Sequence, residues 1–232
     1  RFDGGRGVDV NARLAIFDLD HTLLSGDTDV LWCAFLIARG VLDGATFAAR
    51  SAELERRYRA GTVGTREFAG FYASTLAGRA PGEWEAERRL FLEQEIAPRL
   101  PAAARALVER HRAEGAELLM STATSRFLTE RTAAHLRIPA LLATELELRG
   151  GRLSGALLGE PNMREHKVTR LHAWLAERGR DRGELRSAVA YSDSINDLPL
   201  LSAVGHPVAV DPDERLRAHA QAQGWPIISL RE

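Results

Sequence analysis

Lysine is almost missing from this chain. Of its 31 basic residues only Lys167 is lysine, and the remainder are arginine. A lone lysine is either chance or the mark of a place that needs a compact ammonium, which a forked guanidinium cannot replace. Cysteine is equally scarce. Cys33 stands alone, which excludes an internal disulfide framework and fits a reducing cytoplasm. Its apolar neighbours point to packing rather than reactivity. No apolar run approaches a membrane span, and no secretory signal is visible at the N-terminus. An excess of either charge is also absent. The formal net charge is −1, so there is no electrostatic footprint for nucleic acid or an anionic membrane. No internal repeat or low-complexity tract breaks the chain. What remains is 232 residues, 45% of them hydrophobic, enough for one sizeable core plus an insertion or small second domain. Residues 1–12 are polar and Gly-rich and read as a flexible lead-in.

The stretch FDLDHTLL, Phe17 to Leu24, follows a short apolar run from Leu14 that reads as a buried strand. Asp18 and Asp20 then stand one residue apart, and at strand spacing they share a side. Carboxylates that close repel each other unless one is protonated or a cation lies between them. A hard cation such as Mg²⁺ prefers oxygen ligands and meets that need. Thr22 can hydrogen-bond back and hold the turn. Taken alone, the two aspartates are equally explained as turn residues at a strand end.

Four helices with little strand signal follow, over about 28–98. Asp27 and Thr28 are candidate caps for a helix through Val30–Ala38, and Gly40 stops it. Further helices are predicted over Phe47–Arg59, broken by Gly61 and Gly64, then from Thr65 to about Ala77, and from Pro81 to before Pro98. This segment is predicted to be a helical insertion with its own small core, built on aromatics such as Trp32, Phe35, Tyr72, Trp84 and Phe91. From Leu100 the pattern alternates. Strands are predicted at Glu117–Ser121, Ala140–Thr144, Ala188–Tyr191, Pro207–Val210 and Pro226–Ser229, with helices between them. A β-hairpin turns at Gly150 and Gly151. Such alternation implies an α/β fold with a mostly parallel sheet covered on both faces.

Three more elements fall at C-terminal strand ends, where open α/β sheets bind ligands. Ser121 and Thr122 open the run STATS, whose hydroxyls and backbone N–H groups suit a phosphate. A simple helix cap explains one of them as well. Lys167 sits at a predicted helix start, where the dipole disfavours a cation unless an anion is near. Asp193 and Asp197, in YSDSINDLPLL, occupy another strand-to-helix turn, and either alone is explained as an N-cap. With Asp18 and Asp20 they put four carboxylates in one crevice, which points to a divalent cation.

As a set, these elements resemble the four signature motifs of the haloacid dehalogenase-like hydrolase superfamily. They are Asp18-x-Asp20-x-Thr22, Ser121 at a strand end, Lys167, and Asp193-x-x-x-Asp197. The resemblance spans about residues 14–201 and is closest to the phosphoserine-phosphatase-like branch. It implies a Rossmann-like core over 13–27 and 99–232, with a helical cap of that superfamily's first type over 28–98. It also implies the chemistry. Asp18 would attack phosphorus and Asp20 would act as general acid and base. Mg²⁺ would be held by Asp18, Asp193 and the Asp20 carbonyl. Ser121 and Lys167 would neutralise the phosphoryl group, with Thr122 and Asn196 near it, and Asp197 would orient Lys167. The expected partner is a small phosphorylated metabolite.

Two positions bear on the ester. Asp27 falls where the phosphoserine phosphatases it resembles carry a Glu that meets the substrate's amino group. Tyr72 falls where they carry an Arg for its carboxylate, with Arg66 or Arg79 as substitutes. A substrate with a cation and no carboxylate fits better, and histidinol phosphate is the leading expectation. Phosphoserine and phosphotransfer to another alcohol are the alternatives. A non-catalytic binding protein is a third, but a pure binder has no need of Asp20.

Overall fold

A computed structural model describes residues 13–59 and 62–231. The predicted lead-in and Gly61 lie outside the described residues. The centre is a six-stranded sheet in the order β3-β2-β1-β6-β7-β8, with every pairing parallel. The strands are β1 (Leu14–Phe17), β2 (Glu117–Ser125), β3 (Ala140–Thr144), β6 (Val189–Ser192), β7 (His206–Val210) and β8 (Ile227–Ile228). A separate antiparallel hairpin joins β4 (Leu146–Arg149) to β5 (Arg152–Leu157). Its turn residues Gly150 and Gly151 both have positive φ, 56° and 75°, as the tight turn between twisted strands requires.

β1 shows why the sheet is covered on both sides. All four of its residues are buried, and they alternate between two cores. Ala15 and Phe17 face a cluster with α5 (Ala102–Ala113) and α6 (Arg126–His135). Leu14 and Ile16 face a second cluster with α7 (Glu165–Ala176), α8 (Leu198–Ala203) and α9 (Glu214–Gln223). A parallel strand buried on both faces is therefore apolar throughout rather than alternating.

After β1 come α1 (Thr28–Ala38), α2 (Gly44–Arg59), α3 (Thr65–Ala73) and α4 (Glu85–Phe91). The small core expected for this segment is only partly its own: among the described residues Phe47, Phe68, Phe71 and Tyr72 pack on one another. Trp32, Phe35, Trp84 and Phe91 belong to the cluster that also holds Phe17, Met120 and Tyr191. Trp32 packs edge-on to Trp84 and Phe91, with centroids 5.7 and 5.0 Å apart. α3 ends at Ala73 and tightens into a short turn over Ser74–Leu76, rather than running to Ala77. The fourth helix does not stop before Pro98. It loosens over Leu92–Ile96 and finishes in a 3₁₀ turn over Ala97–Arg99, where Pro98 falls in the first turn and needs no N–H partner.

β2 is longer than expected and carries the STATS run as strand to Ser125, with an irregular register against β3 between Ser121 and Ser125. The chain runs outward from β1 to β3, then crosses back to β6. Order therefore reverses between β1 and β6, the switch point where α/β sheets open a crevice. Among the described residues no helix is long and apolar enough to cross a membrane.

Candidate active site

Asp18 leaves β1 at that switch point, its backbone N–H bonded to the Tyr191 carbonyl at 3.0 Å. Its carboxylate is nearly buried. Oδ1 accepts from Lys167 Nζ at 2.8 Å, and Lys167 also donates to Asp197 Oδ2 at 2.6 Å. Ser192 Oγ supports that same Asp197 oxygen at 2.7 Å. The lysine stands in the first turn of α7, so the anions that the dipole argument called for are Asp18 and Asp197. Burial works against the Lys167 charge, but the two carboxylates outweigh it and hold the ammonium above its ordinary range. Asp18 is less well served. Burial raises its carboxyl pKa to about 6, because half of one shared ammonium and the nearby Asp197 charge leave the anion incompletely compensated.

Thr22 joins the ends of β1 and β6. Its Oγ1 lies 3.0 Å from Asp18 Oδ2 and 3.1 Å from Asp193 Oδ1, and it accepts the Asp193 backbone N–H at 3.0 Å. One hydroxyl proton serves only one carboxylate at a time. Burial, then the Asp18 charge, pushes Asp193 up to about 8. A buried and a half-buried carboxylate drawn together over one hydroxyl are what an oxygen-seeking divalent cation would relieve. Among the described residues no three His, Cys, Asp or Glu side chains are grouped to hold a metal by themselves. The expected set asks for only two carboxylates, the third ligand being the Asp20 carbonyl, so the donors present fit it.

Asp20 turns away from this pair. Oδ1 accepts from the Thr28 N–H at 2.7 Å and from the Thr28 hydroxyl, and Oδ2 accepts from Thr124 Oγ1 at 2.8 Å. Burial, with Asp27 next, raises its pKa to about 6 despite those bonds. A carboxyl in that range can both give and take a proton near neutral pH.

These groups surround one cavity of about 190 Å³. Asp18, Asp20, Asp27, Lys167, Asp193, Asn196 and Asp197 all line it. Thr22 does not, but holds two residues that do. Ser121 and Thr122 are buried beneath the wall rather than in it. Ser121 Oγ accepts from Asn162 Nδ2 at 3.2 Å, and Thr122 Oγ1 from the Thr124 N–H. The wall there is Ala123 and Thr124, because β2 continues past the residue where it was expected to end. Tyr72 is also off the cavity, in a crevice beside it. Phe68, one turn earlier on α3, lines the cavity instead. Arg66 is bonded to the Gly159 carbonyl and Glu160. Arg79 lies 3.8 Å over the Trp84 ring and is bonded to the Glu83 carbonyl.

Sequence reasoning missed Asp29, Thr124 and Arg164. Asp29 and Thr124 each stand two residues past a position already chosen, so strand or turn spacing was the available signal. Arg164 had none. It precedes α7 with φ 51° and ψ −125°, a conformation costly for a non-glycine residue. Its Nε donates to Asn196 Oδ1 at 3.3 Å at the cavity mouth.

Known proteins resemble this chain to different degrees. The family model described as haloacid dehalogenase-like hydrolase matches residues 15–202. A histidinol-phosphatase of Neisseria meningitidis is 37% identical over 94% of this chain and 99% of its own. The phosphoserine phosphatase SerB1 of Mycobacterium tuberculosis is 32% identical over 97% of this chain and 72% of its own. A crystal structure of a protein of unknown function from Bordetella pertussis superposes with a TM-score of 0.89 at 40% identity, covering 94% and 99% of the two chains.

Proposed function

The chain belongs to the haloacid dehalogenase-like hydrolase family, and from that premise we propose that it is a phosphomonoesterase that hydrolyses histidinol phosphate through an aspartyl-phosphate. The observation that carries the reading is the buried Lys167 bridging Asp18 and Asp197. A carboxylate so held, open to a cavity and beside Asp20, is equipped for two-step phosphoryl transfer. An Asp18 oxygen attacks phosphorus, the ester P–O bond breaks toward the leaving oxygen, and Asp20 gives that oxygen its proton. Water then attacks phosphorus as Asp20 takes its proton, and the bond to Asp18 breaks. Lys167 opposes the charge on the transferring oxygens, the main task in such reactions. Phosphatases of this family use a divalent metal. Here Asp18, Asp193 and the Asp20 carbonyl would hold Mg²⁺, which when bound would neutralise phosphate charge. The helices over 28–98 act as a cap that shapes the substrate end. Ser121 and Thr122 act from beneath, as supports of the wall at Ala123 and Thr124.

The lining supports a cationic substrate. Asp27 and Asp29 face the cavity without a paired cation among the described residues, and Arg66 and Arg79 are engaged elsewhere. The relative from N. meningitidis carries the corresponding name. Phosphoserine is the second reading, favoured by Arg164, an exposed cation at the mouth that a carboxylate could reach. The free, buried Cys33 is in keeping with a cytoplasmic setting.

The test is a panel of phosphorylated metabolites assayed with Mg²⁺. Histidinol phosphate is expected to exceed phosphoserine in kcat/KM by roughly a hundredfold or more. Activity should vanish in EDTA and in Asp18→Asn, whose melting should show an intact fold. Comparable efficiency on the two esters would return phosphoserine to first place, and turnover by Asp18→Asn would remove the nucleophile assignment.

A further inference from the structure

The cavity has an acidic residue for which the reaction has no use. Asp29, in the first turn of α1, lines both the main cavity and the narrow crevice beside it. The two spaces share Asp29, Ala69 and Ala123. The crevice offers about 10 Å³, the room of a single water. An organic group must therefore sit in the main cavity, with its far end at the neck where Asp29 stands.

An acid in a first turn is ordinarily explained by the helix dipole. Two observations ask for more. The first is the want of a donor. Thr124 Oγ1 lies 3.5 Å from Asp29 Oδ2 but 2.8 Å from Asp20 Oδ2, and its single proton goes to the shorter contact. Among the described residues no cation pairs with Asp29, while burial and then Asp27 and Asp20 raise its pKa well above the carboxylate range. The second is Ser125. It is 8% exposed, lines the same crevice, and its Oγ has no hydrogen-bond partner among the described residues. It precedes α6 at the position where serine ordinarily caps a helix, yet its side chain makes no cap bond. A buried hydroxyl without its usual cap bond, on a residue that lines a crevice shared with an uncompensated acid, leaves two polar groups open to a ligand. Asp27, the carboxylate first chosen for the substrate, spends Oδ1 on the Val30 N–H.

We propose that Asp29, with the Ser125 hydroxyl behind it, is the pair that selects the substrate's protonated nitrogen end, in a phosphate ester of an amino alcohol carrying a nitrogen heterocycle. The proposal rests on the phosphatase reading above. Asp29 takes a charged N–H at the neck, Ser125 acts on that end through the single water the crevice has room for, and Phe68, Ala69 and Met163 line the main cavity that holds the rest of the ester.

The experiment measures kcat and KM with Mg²⁺ on histidinol phosphate and p-nitrophenyl phosphate. The selectivity ratio, kcat/KM for the first ester over the second, should fall by roughly tenfold or more in Asp29→Asn, chiefly through KM. Ser125→Ala should lower the ratio by about threefold, and Asp29→Glu should retain part of it. Equal losses on both esters, or a loss confined to kcat, would reduce Asp29 to a support of Asp20 through Thr124 and overturn the proposal. Independently of any variant, histidinol should inhibit wild-type hydrolysis of p-nitrophenyl phosphate where glycerol does not. Equal indifference to both overturns the proposal even if Asp29→Asn fails to fold. Wild-type turnover of the aryl ester without preference for the amine-bearing one overturns this inference alone. No turnover of either ester overturns the phosphatase reading with it.

Discussion

Lys167 is buried, yet its ammonium meets two carboxylates from different strand ends within 2.8 Å. A point charge on a thin stem can be shared that way. A guanidinium is wider, planar and built for paired contacts, and it does not fit where one nitrogen must face two directions. Lys167→Arg should therefore lose at least about a hundredfold in kcat, close to the loss in Lys167→Ala, because misplacing a group by an ångström costs on that order. Arginine that works there would make the lone lysine an accident of composition. This residue was legible because scarcity singled it out and its helix position was wrong for its charge. Asp18, Asp20, Asp193 and Asp197 were legible for a related reason, since carboxylates at strand ends ask for a cation. Ser121 and Tyr72 were read in the right neighbourhood but one or more residues off the wall. Hydroxyls in a run such as STATS are chemically alike, and only the path of the strand decides which reaches the cavity.

α1 begins at that site, and its cap residue stands in the cavity wall. Asp27 caps the helix, its Oδ1 accepting from the Val30 N–H at 2.9 Å, and it also lines the cavity. Asp27→Ser keeps a cap and removes the charge, whereas Asp27→Ala removes both. The alanine variant should lose about 1 kcal/mol of stability in a denaturant melt and the serine variant only a few tenths. If Asp27 acts on the substrate, both should raise KM alike. Equal stability of the two would show that capping is not what holds this helix end. The hairpin is a second element with a sharp requirement. Gly155 has φ 84°, and a Cβ there would stand 2.8 Å from Ala77 Cβ and 3.3 Å from Ser74 Cα. The backbone bonds Gly78 N–H to Leu153 carbonyl and Leu153 N–H to Arg79 carbonyl run alongside. Gly155→Ala should cost about 1–3 kcal/mol through strain and crowding, and loosen the hairpin from the segment after α3. The Gly-Gly turn was legible in the sequence because the turn itself demands those residues. The docking of the hairpin on Ser74–Arg79 was not, because contacts between segments so far apart leave no local periodicity.

The whole molecule is organised by the two faces of its sheet, and alternation of helix and strand announced that arrangement. The helices after β1 were read as a unit apart, because aromatic content says that a segment has something to bury but not against what. Four of their aromatics, Trp32, Phe35, Trp84 and Phe91, share one face with Phe17 and Tyr191, and under that face lies a buried polar pair with a consequence for global stability. His111 Nε2 and the Tyr191 hydroxyl are 2.7 Å apart, and the Phe17 ring stacks on Tyr191 at 5.3 Å. From α5 and its C-cap, Arg110 and Glu114 are the charged groups near the imidazole, the latter 3.6 Å from Nδ1. Burial, and then Arg110, lowers the His111 pKa below its usual 6.5, outweighing Glu114. The unfolded chain therefore binds this proton at a higher pH than the folded one. Stability from the neutral imidazole is present above the ordinary histidine range and is lost as pH falls from there toward the lower folded value. One proton sets the limit, about 1.4 kcal/mol per pH unit. His135 and His172, more exposed and also lowered, add to the same slope, so the contribution of His111 is read as a difference. His111→Gln retains an amide that can accept from Tyr191 and removes the titration. Chemical denaturation at steps from pH 7.5 to 5 should give a shallower loss of stability in His111→Gln than in the wild type. Parallel curves would mean that the folded protein takes up a proton at His111 as readily as the unfolded chain, and that the pair beneath the sheet does not exclude charge.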